Sequence, residues 1–140
     1  MTTSFMLRVA SAISALFTFG HSIGGLRHWS PFENNPVLEA MTGVHFHVMG
    51  VSRSYLELYT GLGWTLSIFM ALQTVLLWQL ASLARTNLAQ ARAMTVPFIV
   101  AGLANTILAW FLILPVPALF SAVLLLALLL AWFTERPASS

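Results

Sequence analysis

Ionisable side chains are rare in this sequence, and the few that fall in or beside its apolar stretches are the candidates for chemistry. Glu57 stands at the start of one such stretch, and His21 lies well inside another. A carboxylate and an imidazole can exchange protons with a substrate near neutral pH, so this pair suits acid–base catalysis. Arg53 stands four residues before Glu57, one turn away on a helix, where it would tune the carboxylate. A plainer interpretation stays open, in which Arg53 and Glu57 only anchor a helix and His21 only bonds to a neighbouring one.

A second group of residues is predicted to contact the ligand, because its members are polar or aromatic and stand near the same membrane boundary. They are His28, His45, His47, Tyr55, Tyr59, Trp64 and Asn105. His45 and His47 would share a face on a strand and diverge on a helix. The tyrosines would also suit an aromatic belt at the membrane interface.

The histidines raise the question of a metal or a haem. With His21 and Glu57, the pair His45 and His47 would supply nitrogen and oxygen ligands, but their spacing matches no metal motif such as HExxH. His21 together with His45 or His47 could hold a haem iron from two sides. We expect no cofactor and no bound metal, and a haem or metal redox protein stays an alternative.

Composition defines what surrounds these groups. The chain has 140 residues, of which 59% are hydrophobic and 7% charged, whereas a soluble domain has about 25% charged residues. This excludes a disordered chain, a coiled coil and a soluble enzyme, and it indicates an integral membrane protein. The net charge is only +2 and no basic cluster is present, so nucleic acid is not an expected partner. The chain has no cysteine, which excludes disulfides and thiolate metal sites.

Apolar runs long enough to cross a membrane predict a single all-α membrane domain over residues 1–140, a bundle of four spans. A span needs about 20 apolar residues. The predicted spans cover about residues 5–25, 54–84, 95–114 and 118–133, with an outer loop at 26–53. In that loop, Asn35 is expected to cap a helix with Pro36 at its first position, giving an interfacial or re-entrant segment. The sequence Pro115-Val116-Pro117 predicts the tight turn before the last span.

The distribution of arginines predicts the orientation. Four of the six lie on one side of this layout and two on the other, so both termini are expected to be cytoplasmic. The inner four are Arg8, Arg85, Arg92 and Arg136, and the outer two are Arg27 and Arg53.

Polar and small residues recur at steps of three and four along two of the spans. In the first span they are Ser11, Ser14, Thr18, His21, Gly25 and His28, and in the second Arg53, Glu57, Thr60, Trp64, Ser67, Ala71 and Thr74. Stripes of this kind are costly against lipid, so the two are expected to face each other. Together with Asn105 they predict a pocket in the outer half of the bundle, covered by the outer loop. Gly20 and Gly24 form a GxxxG pair suited to close helix approach, and a homo-oligomer is possible.

The layout, and the stretch from Arg53 to Trp64 (RSYLELYTGLGW), resemble small bacterial four-helix inner-membrane proteins of the DoxX-like kind. The similarity covers the architecture of most of the chain, but only these dozen residues as a pattern. It implies a four-helix bundle in the bacterial inner membrane and no settled reaction. It assigns no catalytic residue.

Three functions follow as hypotheses. The first is a membrane enzyme that isomerises or cyclises an isoprenoid-, sterol- or quinone-like molecule in the outer pocket, with Glu57 and His21 as acid and base. The second is a non-catalytic accessory or lipid-binding subunit of a membrane complex. The third is the haem or metal redox protein already considered.

Overall fold

A computed structural model describes residues 2–26 and 35–134 of the chain. Within those residues the protein is almost entirely helical and contains one short β-hairpin. The elements are α1 (Thr3–Gly20), a π-helical turn (His21–Gly25), α2 (Pro36–Gly43), β1 (His45–Val48), β2 (Val51–Ser54), α3 (Tyr55–Thr86), α4 (Leu88–Leu112) and α5 (Pro115–Phe133).

Four helical segments of the described residues are long and apolar enough to cross a membrane. They are Thr3–Gly24, Tyr55–Thr86, Leu88–Leu112 and Pro115–Phe133. The predicted fold class, an all-α membrane protein with four spans, is thereby confirmed. His28 and Arg27 lie outside the described residues.

The chain divides into two compact units. The first consists of Met1–Phe17 and Met70–Ser140, and the second of Thr18–Phe69. α3 contributes residues to both.

The core of the first unit lies where α1, α3, α4 and α5 pack together. Leu7, Leu77 and Leu128 are fully buried there, and most of their buried neighbours are alanines, whose small side chains let membrane helices approach closely. The guanidinium of Arg8 lies over the ring of Trp78, 4.1 Å from its centroid, which gives this cation an aromatic partner on α3.

Hydrogen bonds between α1 and α3 confirm that the two polar stripes face each other in the first unit. The Ser11 hydroxyl donates to the Thr74 carbonyl at 2.9 Å. The Thr74 hydroxyl in turn lies 2.9 Å from the Ser14 hydroxyl. The Nε2 amide of Gln73 also donates to the Ser14 hydroxyl, at 3.3 Å. Because these side chains bond to each other, the stripes present few polar groups to lipid.

One backbone carbonyl joins three helices of the first unit. The carbonyl of Thr134, just after α5, accepts hydrogen bonds from the Thr3 hydroxyl at 2.7 Å and from Arg92 Nη2 at 2.9 Å. A carbonyl oxygen has two lone pairs, so it can accept both. The start of α1, the first third of α4 and the end of α5 are therefore held at one point.

The connections between the last three spanning helices are shorter than predicted. α4 begins at Leu88 rather than near residue 95, so Asn87 alone separates it from α3. The reason is a helix cap, because Asn87 Oδ1 accepts from the Gln90 amide at 3.1 Å and starts α4 directly. The chain does change direction before α5, but at Ile113 and Leu114, and the predicted turn residues 115–117 instead form the first turn of α5, because proline is favoured at the first helical position.

Residues 35–53, the described part of the predicted outer loop, form regular elements. Asn35 caps α2 as predicted, accepting from the amides of Val37 and Leu38, with Pro36 at the first turn. α2 ends at Gly43, and the residues that follow form the two strands of the hairpin. His45 and His47 therefore lie on β1 and point to the same face.

The hairpin is antiparallel, with His45 opposite Ser54 and His47 opposite Ser52. Its two-residue turn is Met49-Gly50, with φ angles of 52° and 81°. Positive φ at both turn residues is the requirement of a type I′ turn, whose twist matches that of the strands. Gly50 meets this requirement freely, whereas Met49 adopts it as a residue with a Cβ atom.

Candidate functional site

Glu57 belongs to a reciprocal cap at the start of α3. Its carboxylate oxygen Oε2 accepts from the Ser54 amide at 2.7 Å, and the Ser54 hydroxyl accepts from the Glu57 amide at 3.1 Å. This is the capping box, Ser-x-x-Glu, in which two otherwise unsatisfied amides are satisfied together. The sequence carries this signal at residues 54–57, and sequence analysis missed it. The side chain of Glu57 is exposed, so the cap orients its carboxylate without enclosing it.

Arg53 does not lie on the helix that carries Glu57, and the prediction of a one-turn helical pair is wrong. Ser54 is the last residue of β2 and α3 begins at Tyr55, so Arg53 belongs to the strand. Its Nη1 donates to the carbonyl of Ser52 at 2.8 Å. The helical stripe of α3 thus begins at Glu57.

His21 lies at the start of the π-helical turn and contacts the backbone of α3. Its Nε2 is 3.2 Å from the Gly63 carbonyl. A carbonyl only accepts hydrogen bonds, so Nε2 carries the proton and Nδ1 of the neutral ring has the lone pair. π-Helical turns are rare in proteins, and those that occur often lie at functional sites.

A hydroxyl pair extends the contacts of this turn. The Ser22 hydroxyl lies 3.0 Å from the hydroxyl of Ser67, which is buried and also bonds to the Gly63 carbonyl at 3.2 Å. Sequence analysis missed Ser22, although it stands four residues after Thr18 and so on the same helix face. In the second unit, as in the first, polar residues of the two helices bond to each other.

The structure engages His21 and Glu57 separately. His21 contacts α3 at the Gly63 carbonyl, whereas Glu57 bonds to Ser54 in the cap of α3. Gly63 follows Glu57 by six residues, which corresponds to about 9 Å along the helix axis. The two side chains share no hydrogen bond in the described part of the chain. A direct acid–base pair therefore requires a substrate to connect them, and the predicted pocket of His21, Glu57 and Asn105 stays a prediction.

His45 and His47 lie on the exposed hairpin. His45 Nδ1 is 3.0 Å from the Gly43 carbonyl, which places the proton of the neutral ring on Nδ1. Among residues 2–26 and 35–134, no three His, Cys, Asp or Glu side chains are grouped to hold a metal ion. A haem is not tested by these contacts, and it stays an alternative.

The three aromatic candidates lie on the first turns of α3. Tyr55, Tyr59 and Trp64 are each roughly half exposed. The ring of Tyr55 contacts that of Phe46 on the hairpin, with centroids 5.3 Å apart. This contact joins the hairpin to α3, and it suits the aromatic belt as well as it suits ligand binding.

Asn105 is paired within the first unit. Its Nδ2 donates to the hydroxyl of Ser121, a buried residue of α5, at 2.7 Å. An amide offers two N–H donors and a carbonyl, and this bond uses one donor. Asn105 and Ser121 thus form a polar contact between two otherwise apolar helices.

A cleft opens between the end of α4 and the start of α5. Its volume is about 270 Å³ and its lining includes one polar residue, Thr106, among apolar ones. The other lining residues are Ile107, Trp110, Phe111, Ala118, Leu119 and Ala122. Asn105 and Ser121 are not among the lining residues, and consecutive residues of a helix point about 100° apart, so the polar pair and the cleft are separate features of these two helices. The sequence offers no signal for this cleft, because the small and large apolar residues that line it follow no regular spacing.

No protein-family model, curated protein or solved structure matches this chain.

Proposed function

We propose that this membrane protein binds a lipophilic small molecule, whose apolar part occupies the cleft between α4 and α5. The observation that carries the proposal is the apolar lining of the cleft, in which Thr106 is the polar residue. Small-molecule sites are mostly apolar cavities with a few polar groups that fix orientation. The volume of about 270 Å³ lies near the lower end of the usual range, about 300–1,000 Å³, and suits part of a hydrocarbon chain or ring system.

The lining favours a ligand that is mostly hydrocarbon, because Thr106 is its polar residue. An isoprenoid alcohol or a sterol has a single hydroxyl on a large hydrocarbon, and a quinone has two ring carbonyls. The Thr106 hydroxyl donates to the Gly102 carbonyl at 2.7 Å, so its oxygen can still accept a hydrogen bond from the hydroxyl of such a ligand. A charged head group has no ionisable partner among the residues that line the cleft.

Filling the cleft tests this proposal. Ala122→Leu adds three carbons within the lining, and Ala104→Leu adds the same volume at an exposed position of α4 outside it. After purification in mild detergent, mass spectrometry should detect an isoprenoid-, sterol- or quinone-like molecule with the native chain and with Ala104→Leu. Ala122→Leu should carry much less of it. Equal amounts in all three proteins would contradict the proposal.

We propose separately that the second unit carries out acid–base isomerisation or cyclisation of an isoprenoid-, sterol- or quinone-like molecule that it binds, with Glu57 and His21 as the proton carriers. What supports it is that the Glu57 carboxylate is exposed and oriented by its cap, while Nδ1 of His21 has the lone pair. A lone pair and a carboxylate can each accept a proton from a substrate.

Glu57→Gln is a sharp test, because glutamine at this position also completes a capping box. Membranes containing the native chain, Glu57→Gln or His21→Ala would be compared by mass spectrometry for the ratio of isomers of the bound molecule. Loss of conversion in both variants, with the ligand still bound, is the expected result. Full conversion in both would exclude the acid–base role and leave the binding function intact.

A non-catalytic subunit of a membrane complex is the second candidate. The observation that favours it is the GxxxG pair, since a Cβ atom built on Gly20 or Gly24 meets nothing within 4 Å. The surface there is open to a helix of another chain, which small residues allow to approach closely. Stoichiometric co-purification of a second protein, lost on Gly20→Leu, would favour this function over the enzymatic one.

A further inference from the structure

The hairpin between α2 and α3 has two chemically distinct faces. Because side chains alternate along a strand and paired residues share a face, the register divides its residues into two sets. The polar face consists of His45, His47 and Ser52, which are exposed, and of Ser54, which is buried in the cap of α3. The apolar face consists of Phe46, Val48, Val51 and Arg53.

The apolar face is uncovered in the described part of the chain. Val48 is 55% exposed and Val51 is 45% exposed, and Met49 at the turn is 97% exposed. A cluster of exposed apolar side chains on a strand pair is unfavourable in water and indicates a contact surface.

The hairpin is attached directly to a membrane-spanning helix. Its last residue, Ser54, is followed at once by Tyr55, the first residue of α3. Phe46 of the apolar face contacts Tyr55, and exposed apolar residues continue along α3 at Leu58 and Leu62. The apolar face thus continues into the side of α3 that is available to lipid, with a tyrosine at the junction, as is typical of the membrane interface.

The backbone fixes how deep the hairpin can lie. A two-stranded hairpin leaves the outward N–H and C=O groups of both strands without partners from the sheet, and such groups are not tolerated in hydrocarbon. A re-entrant position is therefore unfavourable. At the interface, water and head groups satisfy the backbone while the valine side chains reach the acyl boundary. Arg53, on the same face, is long enough to bond to lipid phosphate.

We propose that the hairpin rests on the membrane surface as a lipid-binding element, with its apolar face toward phospholipid and its polar face toward water. The partner is the phospholipid interface, and Arg53 contacts its phosphate groups. This proposal does not depend on what occupies the cleft between α4 and α5.

The test uses the absence of cysteine from the chain. Val51→Cys and Ser52→Cys place a spin label on adjacent residues of one strand but on opposite faces, and Val48→Cys and His47→Cys do the same on the other strand. The labelled proteins are reconstituted into phosphatidylcholine vesicles. Collisions with oxygen, which concentrates in lipid, are compared with collisions with a water-soluble nickel complex.

Oxygen should collide more often than the nickel complex at positions 48 and 51, and less often at 47 and 52. Equal preference on both faces, or the reverse alternation, would overturn the proposal. So would exclusion of both reagents from position 51 that disappears at low protein-to-lipid ratio, because a second copy would then cover the face.

The phosphate contact has its own matched variants, tested in the Val51→Cys protein. Arg53→Gln should lower the oxygen preference of the label at position 51, since the anchor to phosphate is lost. His47→Gln, on the polar face, should leave it unchanged. An unchanged preference in Arg53→Gln would remove Arg53 from the proposed contact.

Discussion

Gly63 lies where α3 contacts the residues that follow α1, His21 and Leu26. A Cβ atom built on Gly63 would meet the side chain of Leu26, whereas one built on Gly61 meets nothing within 4 Å. The carbonyl of Gly63 also accepts the hydrogen bond from His21. One residue thus sets both the close approach and the orientation of the imidazole.

Gly63→Ala should therefore destabilise the protein, with Gly61→Ala as its matched control in the same helix. Overpacking of this kind costs about 1–3 kcal/mol, and rotation of Leu26 would recover part of it. Alanine at position 61 should be neutral or stabilising, because it favours a helix more than glycine does. Thermal unfolding in detergent, followed by circular dichroism, measures the difference. Equal melting temperatures would show that the Leu26 contact does not constrain Gly63.

The cap of α3 gives a second prediction at the scale of single residues. Ser54→Ala removes the side chain that accepts from the Glu57 amide and should cost about 1 kcal/mol of unfolding free energy. Glu57→Ala should also destabilise the protein, whereas Glu57→Gln should be close to native because glutamine can replace the capping bond. The same unfolding measurement checks all three. A Glu57→Gln protein as unstable as Glu57→Ala would mean that the charge, not the cap, holds the helix start.

The hairpin is the element whose turn chemistry departs most from the usual pattern. Met49 has a positive φ angle of 52°, at a position where asparagine or glycine is ordinarily found. Met49→Asn should stabilise the hairpin, and Gly50→Ala should destabilise it because an added Cβ is strained at a φ of 81°. Hydrogen exchange of the amides in residues 45–54 reports both changes. Slower exchange in Gly50→Ala than in the native chain would contradict this turn.

The helical pair of α4 and α5 is joined by the hydrogen bond between Asn105 and Ser121. Interhelical hydrogen bonds in membranes average about 0.6 kcal/mol and reach about 1.7 kcal/mol. A double-mutant cycle with Asn105→Ala and Ser121→Ala should give a coupling energy in this range, measured by unfolding in denaturing detergent. Additive effects of the two changes would mean that the bond contributes nothing to stability.

The elements that the sequence predicts are those with local causes. Long apolar runs predict the four spans, and the Asn35-Pro36 signal predicts the start of α2 correctly. The hairpin was missed because its strands have four residues each and its turn is Met-Gly instead of Asn-Gly. The start of α4 at Leu88 was missed because the span was defined by its apolar run, which the polar residues Gln90 and Arg92 precede. The Asn87 cap starts the helix there, and Arg92 bonds to the Thr134 carbonyl.

The candidate site was predicted less well, for a reason that Glu57 illustrates. A lone carboxylate at a membrane boundary can serve chemistry, structure or both, and the residue three positions earlier decides which contacts it makes. Predicting the contacts of Asn105 and His21 required knowledge of which helix lies opposite, which depends on tertiary packing. The sequence identified the two residues but not their partners.

The whole molecule is predicted to have both termini on one side of the membrane, because four spans return the chain to the side on which it began. From the arginine distribution we propose that this side is the cytoplasm. Thr2→Cys should therefore be protected from a membrane-impermeant maleimide in intact cells, and Met49→Cys, in the exposed turn, should be labelled. The reverse pattern would mean that the protein is inserted in the opposite orientation.

The hydrogen bond between the Thr134 carbonyl and Thr3 also limits when these helices can be joined during synthesis of the chain. The carbonyl bonds to Thr3, which lies 131 residues earlier. A ribosome adds about 5–20 residues per second, so roughly 7–26 s separate the synthesis of the two partners. During that interval the first helix is already made while its acceptor does not exist. The contact that joins three helices can therefore form only after Thr134 has been translated, and until then the start of α1 needs other partners.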